Sequence, residues 1–571
     1  MREAETTTRA REDLLAWRRD AARNAFDADP FFQHVLERLG LGPMRERLRE
    51  IAAQAGPEMD ARVRECNRDE NLPVLRRHDA FGRPAEEIVF HPAHHDVGRT
   101  FWGSGVLAAL AQPGSNVRAG AISYLLDQHG EAGHACPVAC TAGAIKVIQR
   151  VGTDEQRRRY LPRLLDTDYD RRLVAGQLVT ELQGGSDVGE NACTAMPEPG
   201  REGWFRIGGE KWFCSVADAD LFVVSARRPA GPAGTGGLGL FLVPRTIDGA
   251  PNGLVVRRLK YKLGTRSLPT GEFEFDGALA EAIGPPADGF RNLVGIVLDT
   301  SRVHNALGAC GIMRRSLVEA HTFARHRRAF GRPVAEFPAV QELLAHLRLR
   351  SMAAIATTFR ILAMTDRLET GGPDEGLAAA RRIAVMINKY WTSVAATESA
   401  RDGIEVLGGN GTIEDFSVLP RLYRDAIVLE SWEGTHNTLV AQVLRDFTER
   451  GLHRSWLDHL EAEIGCLDHR ELGPCAERAR KLLGELRLRI DNLLAADETT
   501  AAAQARHVVT RMCRLTDCVA LGSQADWERA NGVESDTLPL LDLYRTWSPD
   551  RAEPQESDGW IDLQRQLARR I

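Results

Sequence analysis

Nowhere in this sequence do eighteen apolar residues run together, so no segment reads as a transmembrane helix and no membrane partner is expected. The first residues, Met1-Arg2-Glu3-Ala4-Glu5, alternate in charge and lack an apolar core. They do not read as a secretory signal, and a cytoplasmic location is expected. Cysteine is sparse, with ten in 571 residues and no paired CxxC sets, which excludes a disulfide scaffold. Cys136 and Cys140 stand one helical turn apart without a zinc-like set of His or carboxylates around them, so buried reduced thiols and no metal site are expected. Positive charge is not in excess either. A formal charge of −6 and a pI near 6.3 offer no chain-wide attraction to nucleic acid or an anionic surface. No internal repeat occurs.

What is present is the composition of a soluble globular protein, 43% apolar and 27% charged. The length exceeds one ordinary core and suggests about three or four domains. Residues 14–165 are mostly of helical period, as at 108–126 and 138–151, with breaks at His91-Pro92 and Gln112-Pro113-Gly114. Near Val174 the period shortens. β-rich runs at 204–207, 221–225, 238–243, 254–256 and 272–275 are separated by Gly, Pro and Asp turns, which fits a compact β domain better than βαβ units. Long helical segments return at 317–330, 340–365 and 377–406 and read as a bundle. Further helices are expected at 475–496 and 503–521, followed by a tail rich in Pro, Asp and Glu. The expected class is α+β, in four segments: a helical domain at 1–175, a central β domain at 176–290, a helical bundle at 291–450 and a helical extension at 451–571.

One segment carries more chemistry than the rest. In Trp432-Glu433-Gly434-Thr435-His436-Asn437 a single carboxylate sits between an aromatic ring and a glycine, downstream of the break Gly408-Gly409-Asn410-Gly411. An aromatic wall desolvates a carboxylate and raises its pKa toward the working range of a general base, while the glycine admits close approach of a substrate. A surface Glu in a turn would read the same way if the hexapeptide stood alone. At the start of the β region, Val179-Thr180-Glu181-Leu182-Gln183-Gly184-Gly185-Ser186-Asp187 gathers small residues and hydroxyls able to converge on a polar planar group or phosphate. In Lys211-Trp212-Phe213-Cys214-Ser215, Phe213 and Ser215 share a face if the segment is a strand.

These pieces, in this order, resemble the acyl-CoA dehydrogenase flavoprotein family over about residues 85–447. Residues 180–187 resemble its TEPGAGSD motif, Phe213-Cys214-Ser215 its Trp-x-Thr flavin strand, and Glu433-Gly434-Thr435 its catalytic YEGT. Arg327-Arg328-Ala329-Phe330-Gly331 resembles the R-x-x-F-G through which one subunit reaches the FAD of another, and residues 408–411 resemble its GG-x-G flavin turn. Within the family the AidB-like (alkylation-response) subgroup is the most similar. The features in common are the wording of 180–187, Lys211-Trp212-Phe213, Trp432 in place of Tyr, Phe330-Gly331-x-Pro333, Asp79-x-x-Gly82-Arg83 leading to Phe90-His91-Pro92, and Pro338 where other members carry a flavin-binding Gln. The helical segment after residue 451 also fits.

The resemblance implies a helical domain, an antiparallel β domain and a four-helix bundle, with α,β-dehydrogenation of an acyl-CoA thioester as the chemistry. Glu433 is then the base that takes the α-proton, and the hydride passes to flavin N5. FAD is expected at Val179, Thr180, Gly185, Ser186, Phe213, Cys214, Ser215, Arg327, Phe330, Gly408, Gly409, Trp432, Thr435 and Asn437. The acyl-CoA is expected at Ser186, Asp299, Arg302 and Gly434. Some members place the base just before the position of Arg302, where this chain carries Thr300 and Ser301. An electron-transfer acceptor and a homotetramer, or at least a dimer, are implied partners. Asp299 and Arg302 could equally form an ordinary i,i+3 ion pair.

Two other readings stand beside this one. A flavin oxidase or monooxygenase of the same fold commonly alters the Glu-Gly-Thr position, which is retained here. An AidB-type protein binding DNA through a basic C-terminal domain needs cations after residue 451. That segment holds sixteen Lys and Arg against twenty-one Asp and Glu, so DNA is disfavoured as a partner. Arg478, Arg480, Lys481, Arg487, Arg489, Arg506, Arg511 and Arg514 are the residues that could still gather on one face.

Overall fold

The computed structural model describes residues 2–546, 566, 567 and 569. Most of the expected acidic tail lies outside them. The chain opens with α1 (Arg2–Ala21), α2 (Pro30–Arg38), α3 (Arg45–Gln54) and α4 (Pro57–Cys66). A hairpin of β1 (Val74–His78) and β2 (Pro84–Val89) follows, then α5 (Pro92–Gly103), α6 (Asn116–Asp127), α7 (Ala132–Val151) and α8 (Asp154–Leu164). The hairpin interrupts a stretch whose sequence reads as mostly helical. None of its strand residues is buried, so it carries no buried alternation. Its turn is fixed by Asp79, whose carboxylate accepts from the N–H groups of Phe81 and Arg83.

The central strands are β3 (Ala175–Leu178), β4 (Thr194–Pro197), β5 (Trp204–Cys214), β6 (Leu221–Arg227) and β7 (Leu238–Pro244), then β8 (Thr246–Ile247), β9 (Ala250–Pro251), β10 (Leu254–Leu259) and β11 (Gly271–Ala282). Seven of them form one sheet in the order β10-β11-β5-β4-β6-β3, with β7 paired to β6 and β11. The sheet is not purely antiparallel, because β3 and β4 both run parallel to β6. Both reach β6 by connections longer than a hairpin turn, and a strand joined by a crossover is free to run parallel. The apolar runs of β6 and β7 are buried along almost their whole length.

The second helical region comprises α9 (Gly289–Asn292), a π turn at Leu293–Leu298, α10 (Asp299–His326), α11 (Pro338–Thr370), α12 (Glu375–Leu407), α13 (Leu419–Ser431) and α14 (His436–Arg450). The extension adds α15 (His453–Gly465), α16 (Gly473–Ala495), α17 (Glu498–Ala530) and α18 (Thr537–Thr546). Helix α10 stops before the expected residue 330. Phe330 and Gly331 both have positive φ, 49° and 85°, and form the turn between the two-residue strands β12 (Arg328–Ala329) and β13 (Arg332–Pro333). Pro338 occupies the first turn of α11, where its missing N–H costs nothing.

Packing regroups these segments. One compact unit contains Met1–Pro57, Asn116–Gly130 and Ala306–Ile571; the other contains Glu58–Ser115 and Glu131–Asn305. In the first, Trp17 of α1 stacks on Phe416 at 5.2 Å, meets Phe323 edge-on at 5.3 Å and donates to the Glu319 carbonyl at 3.3 Å. The extension is built into the same unit. Buried Asp517 of α17 accepts from Thr357 of α11 at 2.6 Å, Trp391 of α12 at 2.8 Å and Tyr544 of α18 at 2.7 Å. None of the ten cysteines is in a disulfide, and eight are buried; Cys466 is exposed and Cys518 half-buried. Among the described residues no helix is long and apolar enough to cross a membrane.

Candidate active site

Residues 179–187 form a tight loop that leaves β3. Its shape is set from inside by Glu181, which is only 3% exposed. Lys211 Nζ, fully buried on β5, donates to Glu181 Oε1 at 2.7 Å and to the Val179 carbonyl at 3.0 Å. The other carboxylate oxygen accepts from the Ala192 N–H at 2.6 Å and from Gln183 at 2.7 Å. Burial pushes the Glu181 carboxyl up, yet the Lys211 charge and these donors outweigh it and hold the group below its ordinary value. The loop is also tied to the strand, since the Trp212 N–H donates to the Thr180 carbonyl at 2.9 Å.

With Glu181 turned inward, Gly185 and Ser186 face outward and exposed, and Val179 and Thr180 are half-buried. A side chain at Gly185 would press on Thr180, whose Cγ2 and Oγ1 lie 3.1 Å from an added Cβ. On β5, Phe213 points outward, 49% exposed, while the Cys214 thiol is buried in the sheet. Cys214 can therefore offer a ligand only its backbone. Ser215 lies one residue past the end of the strand, so its shared face with Phe213 depends on the bend there. Lys260 was not legible as part of this surface. Its Nζ stands 3.4 Å from the Trp212 ring centroid and 4.9 Å from that of Phe213, anchored by Glu272 at 2.6 Å.

Asp299 opens α10 and is half-buried; Arg302, one turn on, is 4% exposed. The residues in the alternative base position have their hydroxyls committed. Thr300 donates to the Ile296 carbonyl at 2.8 Å, and Ser301 to Gln177 at 3.1 Å and the Val297 carbonyl at 3.2 Å. Neither carries a carboxylate.

The other unit holds the Glu433 segment. Helix α12 ends at Leu407 and is capped by Gly408, whose φ of 61° suits glycine, and neither Gly408 nor Gly409 has an atom within 4 Å of an added Cβ. At Gly411 the same Cβ would lie 2.7 Å from the Ile404 carbonyl oxygen, so this turn closes only with glycine. Helix α13 ends at Ser431, and Trp432 is extended. Glu433 then takes φ = 58°, a left-handed conformation unusual for a residue with a Cβ, and Gly434 takes φ = 105°. Thr435 caps α14 by accepting from the Thr438 N–H at 3.4 Å. Glu433 and Trp432 are half-buried, and the buried Trp432 Nε1 has no hydrogen-bond partner among the described residues. Exposed Asn437 accepts from Arg506 of α17. Phe330 stands 97% exposed at the tip of its turn, and Arg327 beside it is exposed.

On one unit an exposed aromatic stands with small hydroxyl residues; on the other, an aromatic, a carboxylate and an open glycine turn stand close in the chain. They define the acyl-CoA dehydrogenase fold. Residues 287–447 match the acyl-CoA dehydrogenase C-terminal domain, 176–278 its middle domain, and 18–171 the adaptive response protein AidB N-terminal domain. The putative acyl-CoA dehydrogenase AidB of Escherichia coli is 33% identical over 74% of this chain and 77% of its own length. Acyl-CoA dehydrogenase family member 11 of Caenorhabditis elegans is 29% identical over 92% of this chain and 89% of its own. The chain belongs to the acyl-CoA dehydrogenase family, and its N-terminal region is of the AidB type. The solved structure of Caenorhabditis elegans ACDH-11 in complex with C11-CoA superposes with a TM-score of 0.83 at 26% identity, covering 92% of this chain and 91% of that one.

Proposed function

We propose that this protein is an FAD-dependent acyl-CoA dehydrogenase that introduces an α,β double bond into an acyl-CoA thioester, with Glu433 as the base. FAD is the family's cofactor, and when bound it supplies the hydride acceptor. The residues here fit it. Phe213 leaves an aromatic face uncovered, Gly185 and Ser186 present small groups beside it, Gly408 and Gly409 leave open space, and the Trp432 indole N–H is buried without a protein acceptor.

The observation that carries the reading is the left-handed Glu433 between the extended Trp432 and Gly434, at the junction of two helices. That conformation breaks the backbone between two helices and leaves Glu433 half-buried there, with Oε2 shielded from solvent. An α-proton is too weakly acidic for a carboxylate in water, so the chain must also polarise the thioester carbonyl. The Glu433 N–H is the group assigned to that task. Trp432 excludes water from the carboxylate, and Arg302 with Asp299 lines the acyl-CoA path. Arg327 and Phe330 act on the flavin of a neighbouring subunit, in a dimer or tetramer, and a separate electron acceptor reoxidises the enzyme.

The test is anaerobic bleaching of the flavin by a panel of acyl-CoA thioesters of graded length and branching, with C11-CoA among them. Glu433→Gln should keep FAD and still bind the thioester while losing reduction. Undiminished bleaching in that variant sinks the assignment. Of the cations a DNA-associated reading would use, Arg487 pairs with Glu461 at 3.0 Å, Arg506 with Asn437, and Arg514 meets the Trp391 ring at 5.7 Å, while Arg480, Lys481 and Arg489 are exposed.

A further inference from the structure

Lys389 lies in the middle of α12, forty-four residues before Glu433, and is fully buried. A buried ammonium is costly unless its protons are matched by acceptors. Two of its acceptors are main-chain. Nζ donates to the Glu430 carbonyl at 3.1 Å and to the Gly434 carbonyl at 2.9 Å. The first is among the last carbonyls of α13, which have no partner within the helix, and the negative end of that helix dipole favours a cation. The second lies just past Glu433. The two acceptors therefore bracket the strained residue, three positions before it and one after.

A left-handed, Cβ-bearing residue persists only where its surroundings over-determine it. The Trp432 N–H is tied to the Val428 carbonyl at 3.1 Å and Thr435 to the start of α14. Lys389 joins the two helix ends across the gap by two hydrogen bonds to their carbonyls. The groups around it are accounted for. Thr397 donates to the Glu430 carboxylate, and His436 Nε2 stands 3.7 Å from the same side chain. Tyr390 meets the His436 ring edge-on at 5.0 Å and its hydroxyl lies 3.2 Å from that of Thr510 on α17. The His436 imidazole is pushed down to about 4 by burial and by the charges of Lys389 and Arg506, so it is neutral at pH 7 and Lys389 is the cation under the turn.

We propose that Lys389 is a positioning residue for the reaction: by clamping the Glu430 and Gly434 carbonyls it holds Glu433 in the left-handed conformation that aims its carboxylate at the α-carbon. This rests on Glu433 being the base. The experiment compares Lys389→Met, Lys389→Gln and Glu433→Gln as holoenzymes, by anaerobic stopped-flow reduction with the thioester that bleaches the wild type fastest. In Lys389→Met the limiting reduction rate should fall by roughly 10²-fold, the loss expected when a reacting group is misplaced by about 1 Å. Thioester binding should stay within about threefold and FAD content unchanged, because the interaction lost is one felt in the transition state and not in the ground state. Lys389→Gln, which keeps an N–H donor without the charge, should fall between. Hydrogen exchange in a peptide spanning residues 428–438 should quicken in both variants.

A full reduction rate in Lys389→Met beside a silent Glu433→Gln overturns the proposal and leaves the base assigned. Full rates in both overturn the base assignment itself. Parallel loss of rate, thioester binding and FAD, or failure of both Lys389 variants to fold, assigns Lys389 to stability alone and likewise overturns the proposal.

Discussion

Replacing Lys211 by Met removes the cation from a site where Glu181 has no water to turn to. Both partners are almost wholly shielded, 0% and 3% exposed as side chains, and their contact is 2.7 Å. Breaking a buried pair by removing one partner costs about 3–5 kcal/mol, because an uncompensated charge remains. The N–H groups of Ala192 and Cys193 and the amide of Gln183 still point at Glu181, which places the loss near the lower end, about 3 kcal/mol. For a unit of this size that lowers the melting transition by roughly 6–12 °C. Glu181→Gln keeps an acceptor for the N–H groups but strands the ammonium, and should cost a similar amount. The double variant should be less destabilised than the two singles combined, by about 1–3 kcal/mol. The assay is scanning calorimetry of all four proteins with the 450 nm flavin absorbance recorded alongside, since the same pair shapes residues 179–187. The acid limb supplies a second reading. The Glu181 carboxyl is depressed in the folded state, so its stabilisation is complete above the ordinary carboxylate value and is lost as pH falls through the depressed one. Lys211→Met lets burial raise the folded-state value toward or above the ordinary one, so that acid loss should shrink. Additivity of the two single variants within about 0.5 kcal/mol would refute the coupling on which this rests.

Gly185→Val should fold and melt like the wild type but purify with little flavin, because its side chain crowds Thr180; FAD content by absorbance checks it. Arg327→Glu should weaken FAD retention and assembly together, read by light scattering and absorbance, and a monomer with full FAD would contradict the intersubunit role. Burial holds the His436 imidazole down to about 4, so between the ordinary histidine range and about 4 the unfolded chain takes up a proton that the folded one refuses. His436→Gln should therefore flatten the fall in melting temperature as pH drops through that window, and be neutral above it. Reversing Arg480, Lys481 and Arg489 to Glu should leave any affinity for a random DNA duplex weak and unchanged at two salt concentrations; a steep, salt-dependent affinity that disappears in this variant would revive the DNA reading.

Long periodic segments were legible because their burial is simple. The period at 377–406 maps onto α12, and the apolar runs at 221–225 and 238–243 onto β6 and β7. The short strands β3 and β4 were not, since Ala-Gly-Gln-Leu and Thr-Ala-Met-Pro have no alternation to read. Nor was the β1–β2 hairpin, which buries little. In the candidate site, the motif residues were visible as wording, whereas their supports were not. Lys389 sits in a helix of ordinary composition, and only the fold brings it beneath a turn forty-four residues away. Glu181 and Lys211 lie inside recognised motifs, yet the sequence does not say that they point inward at each other. The expectation of buried thiols at Cys136 and Cys140 was met, whereas nothing in the sequence marked Cys466 as exposed or Cys518 as half-buried.

The three separate stretches that make up the first unit bear on how the chain is made. Trp17 finds ring partners in Phe323 and Phe416, and Phe32 of α2 packs on Tyr124 and Phe359. On a translating ribosome the opening helices therefore emerge hundreds of residues before the surfaces that cover them. At about 5–20 residues per second that interval is on the order of tens of seconds. The second unit is complete once residue 305 has been synthesised. Nascent chains of this protein thus carry Trp17 and the apolar face of α2, Phe31, Phe32, Val35 and Leu36, uncovered through much of elongation, a period in which holding chaperones should be found on α1 and α2.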